Sequence, residues 1–208
     1  MKEVQFCGYG TLATSFVIFR NSKHISSLTF HVKDMGEFFV EKLSNGQISL
    51  NFPIQTPNQL QQPPELLKNA LQSEILEIYE NPQAYIVIYK DTDSILKEKP
   101  NFNLIKELGG KRVAITALND NKQDHLKNFD IVSRYFTPSM GIDEDPVTGS
   151  LHTSLMPLWA AKAGKTEIVA YQASSRGGVL YCRLLEDDRV EIKGTCRLYM
   201  EAVLYVSN

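Results

Sequence analysis

Three short runs early in the chain alternate between apolar and polar residues: SLTFHVK (27–33), EFFVEKL (37–43) and QISLNF (47–52). A period of two belongs to a strand with one covered face. Asp34-Met35-Gly36 and Ser44-Asn45-Gly46 separate the runs, and Asn-Gly between alternating segments is a strong hairpin signal. The pattern predicts an antiparallel meander with no helix between its strands. Ahead of it, residues 3–7 alternate like a short strand and Gly8-Tyr9-Gly10 makes a turn. Residues 11–20 then read as a mostly apolar helix, buried on most sides.

PIQTPNQLQQPP (53–64) reads as an exposed connector and a domain boundary. Beyond it, 64–71 suits a helix with Pro in its first turn. AYIVIY (84–89) reads as a buried strand, 91–96 and 103–108 as short helices, and 112–118 and 130–136 as strands. A loop over 137–149 leads into a helix over 150–163 that Gly164 closes. Strands over 167–172, 179–185 and 189–206 complete the chain, the last pair turning at Asp187-Asp188. This is a mixed α+β chain with largely antiparallel sheets, each wrapped around a central helix.

Composition narrows the function classes. A net charge of −2, with Lys and Arg scattered among acids, predicts no nucleic-acid partner and no membrane-surface partner. The longest apolar stretch, from Leu12 to Phe19, is too short to cross a bilayer, and the N-terminus carries no signal-peptide pattern. Three widely spaced cysteines, Cys7, Cys182 and Cys196, fit a reducing compartment, so the cytoplasm is the expected location.

Two stretches carry chemistry. Gly8, Gly10 and Ala13 fit the dinucleotide fingerprint G-x-G-x-x-G/A. A Rossmann unit would alternate strands with crossover helices, however, and the meander breaks that context. Gly109-Gly110-Lys111 likewise lacks the first glycine and the Ser/Thr of a P-loop. The second stretch is YFTPSMGIDEDPVTGSLHT (135–153), where Asp143, Glu144 and Asp145 precede a helix start at Thr148-Gly149-Ser150. Three packed carboxylates would raise one another's pKa values, as acid–base chemistry near neutrality requires. Alternatively they decorate a helix N-terminus, where each gains about 0.3–1 kcal/mol. Gly8-Tyr9 and Gly149-Ser150 can be laid over one another, each before an apolar helix. Two similar halves would bring both N-termini to a central cleft, where their backbone N–H groups could grip a small carboxylate.

The chain resembles the phenazine-biosynthesis PhzF-like isomerases, relatives of diaminopimelate epimerase and proline racemase. CGYGTLA (7–13), RYFTPSMGIDEDPVTGSLH (134–152) and QASSRGG (172–178) carry the resemblance, in that order. It implies two pseudo-symmetric domains of the diaminopimelate epimerase-like kind, 1–57 with 196–208 and 58–195, with the site between them. It further implies proton transfer at carbon of a small carboxylated metabolite, isomerising or epimerising it without metal or organic cofactor. Asp145 would be the acid of the EDP motif. Gly8, Gly149 and Ser150 would bind substrate, with Gln172, Ser174 and Arg176 alongside and Gly177 in the same flank.

The sequence departs from the family pattern in two places. Tyr9 stands where the family has His; a phenol can donate a hydrogen bond but carries protons poorly at neutral pH. The family's preceding segment of about sixty residues, with its acid/base glutamate, has no counterpart here, and Glu3 lies on the wrong side of the turn to replace it. The first domain is therefore expected to be N-terminally truncated, with an open edge that other chains, a second copy included, could fill. A non-catalytic relative that binds a small carboxylate or a protein partner is the alternative. Cys7 faces no second cysteine at the other turn, which excludes a two-thiol mechanism and leaves it as a small buried residue. His152, one turn into its helix, is read as packing or capping.

Overall fold

The alternating runs fold as their period predicts. Strands β1 (Ser27–Val32), β2 (Gly36–Lys42) and β3 (Ile48–Pro53) pair antiparallel in sequence order. Gly46 turns β2 into β3 at φ +82°, a region open to glycine, and the Asn45 side chain accepts from the Gln47 amide at 3.0 Å. The computed structural model describes residues 6–121, 124–203 and 205. The strand expected over 3–7 lies mostly outside them, and Phe6 and Cys7 are irregular.

Among the described residues eleven strands form one mixed sheet. The further strands are β4 (Asn58–Gln59), β5 (Ile75–Glu80), β6 (Ala84–Tyr89), β7 (Arg112–Leu118), β8 (Ile131–Phe136), β9 (Glu167–Gln172), β10 (Gly178–Leu184) and β11 (Arg189–Gly194). Their order across the sheet is β1-β2-β3-β11-β10-β9-β8-β7-β6-β5-β4, so β11 joins the meander to the rest through its pairing with β3. Two pairs are parallel. Helices α3 (Thr92–Lys97) and α4 (Phe102–Lys106) connect β6 to β7, and α5 (Gly149–Ala163) connects β8 to β9. The remaining α-helices among the described residues are α1 (Gly8–Asn21) and α2 (Glu65–Asn69), and a 3₁₀ turn spans Pro138–Met140. The architecture is mixed α+β, a large sheet with few helices.

Burial explains the continuous apolar run of β6. Ile86 and Ile88 enter one core, with Leu151, Leu155 and Trp159 of α5 and Phe52, Val190 and Ile192 of the sheet. Val87 and Tyr89 point the other way, into a second core with Leu67, Ile95 and Ile105 of α2, α3 and α4. A strand covered on both faces loses its alternation. In the first core, Phe6, Phe38 and Phe52 meet with all three ring centroids 4.8 Å apart. Each such pair adds about 0.5–1.5 kcal/mol beyond area burial. The trio fixes Phe6, and through it the start of α1 two residues later.

Two expectations need correction, and one strand has no legible pattern. The strand expected over 189–206 ends at Gly194, and residues 195–203 run outside the sheet with Tyr199, Met200 and Val203 exposed. The apolar alternation persists there, but no strand among the described residues lies alongside to cover it; residue 206 is outside the described set. Strand β5 went unread because ILEIYE mixes both periods, and it forms through pairing with β6. Finally, α1 is covered on one side only, burying Gly8, Ser15 and Phe19, whereas α5 buries ten of its fifteen residues.

Candidate functional site

The N-termini of α1 and α5 abut. A Cβ added to Gly8 would lie 3.0 Å from Gly149 Cα and 3.4 Å from Ser150 N, and one added to Gly149 would lie 3.3 Å from Gly8 Cα. Only residues without side chains allow two helix starts to approach this closely. Neither helix has a side-chain cap, and neither has an acid in its first turn. Thr148 occupies the N-cap of α5 and is a capping residue by type, yet its hydroxyl is directed to Asp145 Oδ2 at 2.5 Å. First-turn N–H groups, which have no intrahelical acceptor, and two positive dipole ends thus meet at the same place.

Beside them opens a cleft of about 600 Å³, with Asp145 and Arg176 on its walls and Leu12, Val147, Leu180 and Ile192 among its apolar lining. A smaller lobe of about 170 Å³ adjoins it; Gly8, Tyr9, Ile142, Asp145 and Gly149 line both. Ser150, Cys7, Arg112 and Tyr135 line the smaller lobe only.

Of the three acids before α5, Asp145 alone lines the cleft. Glu144 is paired through both carboxylate oxygens with Arg134, at 2.8 and 3.0 Å, and Asp143 is exposed. Asp145 does sit above the usual carboxylate range, but burial holds it there, not its acidic neighbours; the Thr148 hydrogen bond and the charges of Arg112 and Arg176 pull against the rise. The expectation of three mutually perturbing carboxylates is corrected accordingly: pairing with Arg134 on β8 removes Glu144 from the group.

The loop that carries Asp145 is held from behind. Gln172 is wholly buried; its Oε1 accepts from the Thr148 amide at 2.8 Å, while its Nε2 donates to the Asp145 carbonyl at 2.7 Å and to Thr148 Oγ1 at 3.1 Å. Ser174 donates to the Pro146 carbonyl at 2.8 Å and accepts from the Gly177 amide at 3.1 Å. The Asp145 amide donates to the Tyr135 carbonyl at 2.9 Å. Gln172 and Ser174 therefore brace the loop and do not line the cleft.

The other sequence candidates fall as follows. Tyr9 lies on the rim, 63% exposed. Arg176 is also an exposed rim residue, close enough to Asp145 to act on its charge. His152 is completely buried, its Nδ1 donating to the Thr148 carbonyl at 2.7 Å, and burial lowers its pKa to about 4, so it packs as a neutral ring. Cys7 is the N-cap of α1 and only half-buried, not the buried filler expected; a Cβ on Gly10 would lie 2.9 Å from its Sγ. Arg112 belongs to no local motif, and Tyr135, although inside the motif over 134–152, has no role there that a linear reading shows; the pairing of β7 with β8 brings both to the lobe.

Among the described residues no group of three or more His, Cys, Asp or Glu side chains is placed to hold a metal ion, and no helix is long and apolar enough to cross a membrane. The pattern of the family described as phenazine biosynthesis-like protein, PhzC-PhzF, matches residues 1–202. An uncharacterized isomerase of Pseudomonas aeruginosa is 35% identical over 98% of this chain and 74% of its own length. A phenazine biosynthesis-like domain-containing protein of Bos taurus is 33% identical over 97% of this chain and 74% of its own. The crystal structure of a PhzF family protein of Enterococcus faecalis superposes with a TM-score of 0.85 at 35% identity, covering 99% of this chain and 75% of that one.

Proposed function

Since the chain belongs to the phenazine biosynthesis-like protein family, we propose that it isomerises or epimerises a small carboxylated metabolite by proton transfer at carbon, with no metal or organic cofactor. The half-buried Asp145 carboxyl, beside two uncapped helix N-termini with no acid in their first turns, carries this reading. A carboxyl raised by burial can hold or release a proton closer to neutrality than a free aspartate. Gly8, Gly149 and Ser150 would offer backbone amides to the substrate, and Arg176 on the rim would orient it. Tyr9 would donate a hydrogen bond. Gln172 and Ser174 would act as positioning residues that hold Asp145 in place. Two halves, 1–57 with 196–208 and 58–195, would close on the cleft, a division that the meeting of α1 and α5 at its centre supports.

Incubation in D₂O with a panel of small unsaturated and amino acids tests the reading: deuterium should enter a C–H position of one of them and stop entering with Asp145→Asn. Exchange that persists in that variant rules out the role given to Asp145. A second reading, a relative that binds the acid without converting it, draws on the exposed Tyr9 in the place of the family's His. Ligand-induced changes at the Gly149 amide without any deuterium uptake would select it.

A further inference from the structure

The two guanidinium groups on adjacent strands β7 and β8 are treated differently. Arg134 is matched: its Nε and Nη2 bind both oxygens of Glu144, and its Nη1 donates to the Glu98 carbonyl at 2.8 Å. Arg112, also half-buried, donates to the neutral Oε1 of Gln83 at 3.2 Å and lies against the Tyr135 hydroxyl. Among the described residues it forms no ion pair, although Asp145 shares its lobe and feels its charge. A guanidinium withdrawn from water ordinarily has an anionic partner, and five fixed N–H donors suit the two oxygens of a carboxylate. The room for that anion is the smaller lobe, which Gly149 and Ser150 at the uncapped start of α5 also line.

We infer that Arg112 is the anchor for the substrate's carboxylate, which enters the smaller lobe between its guanidinium and the first-turn amides of α5. This deepens the function proposed above and rests on it. The remainder of the molecule then lies in the adjoining larger cleft, against Leu12, Val147, Leu180 and Ile192, with Asp145 at the junction of the two lobes. Selection follows: an acid is taken and its uncharged amide refused, because only the acid matches Arg112. The same charge acts on Asp145. An anion on Arg112 cancels its pull against the rise of the Asp145 pKa, so binding tightens the hold of Asp145 on its proton. The groups bearing on Asp145 are Arg112 from β7, Arg176 from the β9–β10 loop and the Thr148 hydroxyl from its own loop.

Cyclohexanecarboxylate and cyclohexanecarboxamide, identical in shape and different in charge, make the test. Each is titrated at pH 7 into the ¹⁵N-labelled protein, following the Gly149 and Ser150 amides. The parent should bind the carboxylate at least about tenfold more tightly than the amide. Arg112→Gln should weaken the carboxylate about 10- to 100-fold, the ordinary contribution of a charge-assisted, hydrogen-bonded pair, and leave the amide unchanged. Arg112→Lys, which keeps the charge and loses the fork, should fall between. In Arg112→Gln the Asp145 carboxyl, followed by ¹³C NMR, should titrate higher than in the parent. Unchanged carboxylate binding in Arg112→Gln, with both amides still responding, overturns the inference and spares the site. If neither compound moves Gly149 or Ser150 in the parent, the site and the inference fall together.

Discussion

Replacing Gln172 with leucine removes one side chain that satisfies three buried polar groups while leaving its volume nearly unchanged. The Thr148 amide loses its acceptor at 2.8 Å, the Asp145 carbonyl its donor at 2.7 Å, and Thr148 Oγ1 its donor at 3.1 Å. Thr148 is 6% exposed, so water cannot easily take over. Each buried backbone group left unpaired costs about 1–3 kcal/mol, so the two together should cost about 2–6 kcal/mol. For a chain of this length each kcal/mol lowers Tm by about 2–4 °C, which puts the expected drop at about 5–20 °C. A second readout separates bracing from bulk stability. With Thr148 no longer held by Gln172, its hydroxyl loses its aim at Asp145, and the Asp145 carboxyl should titrate higher than in the parent by ¹³C NMR. Differential scanning fluorimetry and that titration check both points. A Tm within about 2 °C of the parent together with an unmoved Asp145 would refute the bracing role.

Two further outcomes follow from the same geometry. Gly8→Ala places a methyl 3.0 Å from the backbone of Gly149, where no flexible side chain can yield, so the helix starts must part. Its expected cost is about 1–3 kcal/mol in urea unfolding, with altered chemical shifts at Gly149 and Ser150. His152, held near a pKa of about 4 by burial, refuses a proton that the unfolded chain accepts below the ordinary histidine value of 6.5. Stability from this group is therefore complete above that value and is lost as pH falls toward about 4. By pH 4.5 the loss should reach about 2–3 kcal/mol. His152→Phe, which cannot titrate, should flatten that part of the stability–pH curve in urea titrations at pH 7.5 and 4.5. Parallel curves for parent and variant would remove burial of the neutral ring as the cause.

What the sequence determined is local. The period-two runs and Asn45-Gly46 specify the meander, and Gly164 stops α5 at φ +65°. The three motifs at 7–13, 134–152 and 172–178 name the family and most of the cleft's residues. These features depend on turn chemistry and side-chain order within a few residues, which a linear reading contains. Tertiary structure decided which of those residues meet. Asp143, Glu144 and Asp145 are equivalent in sequence until Arg134 on β8 claims Glu144 and burial raises Asp145. Gln172 and Ser174 read as neighbours of the substrate, and the fold sets them behind the loop as its braces. Arg112 carried no signal at all, because its lack of an anionic partner among the described residues exists only once β7 lies beside β8. Likewise the alternation after Gly194 ends the sheet, since a strand needs a neighbour to pair with as well as a suitable pattern. Burial and charge pairing are sums over residues far apart in the chain, so the chemistry of this cleft is settled by packing, on a scaffold that local pattern had already drawn.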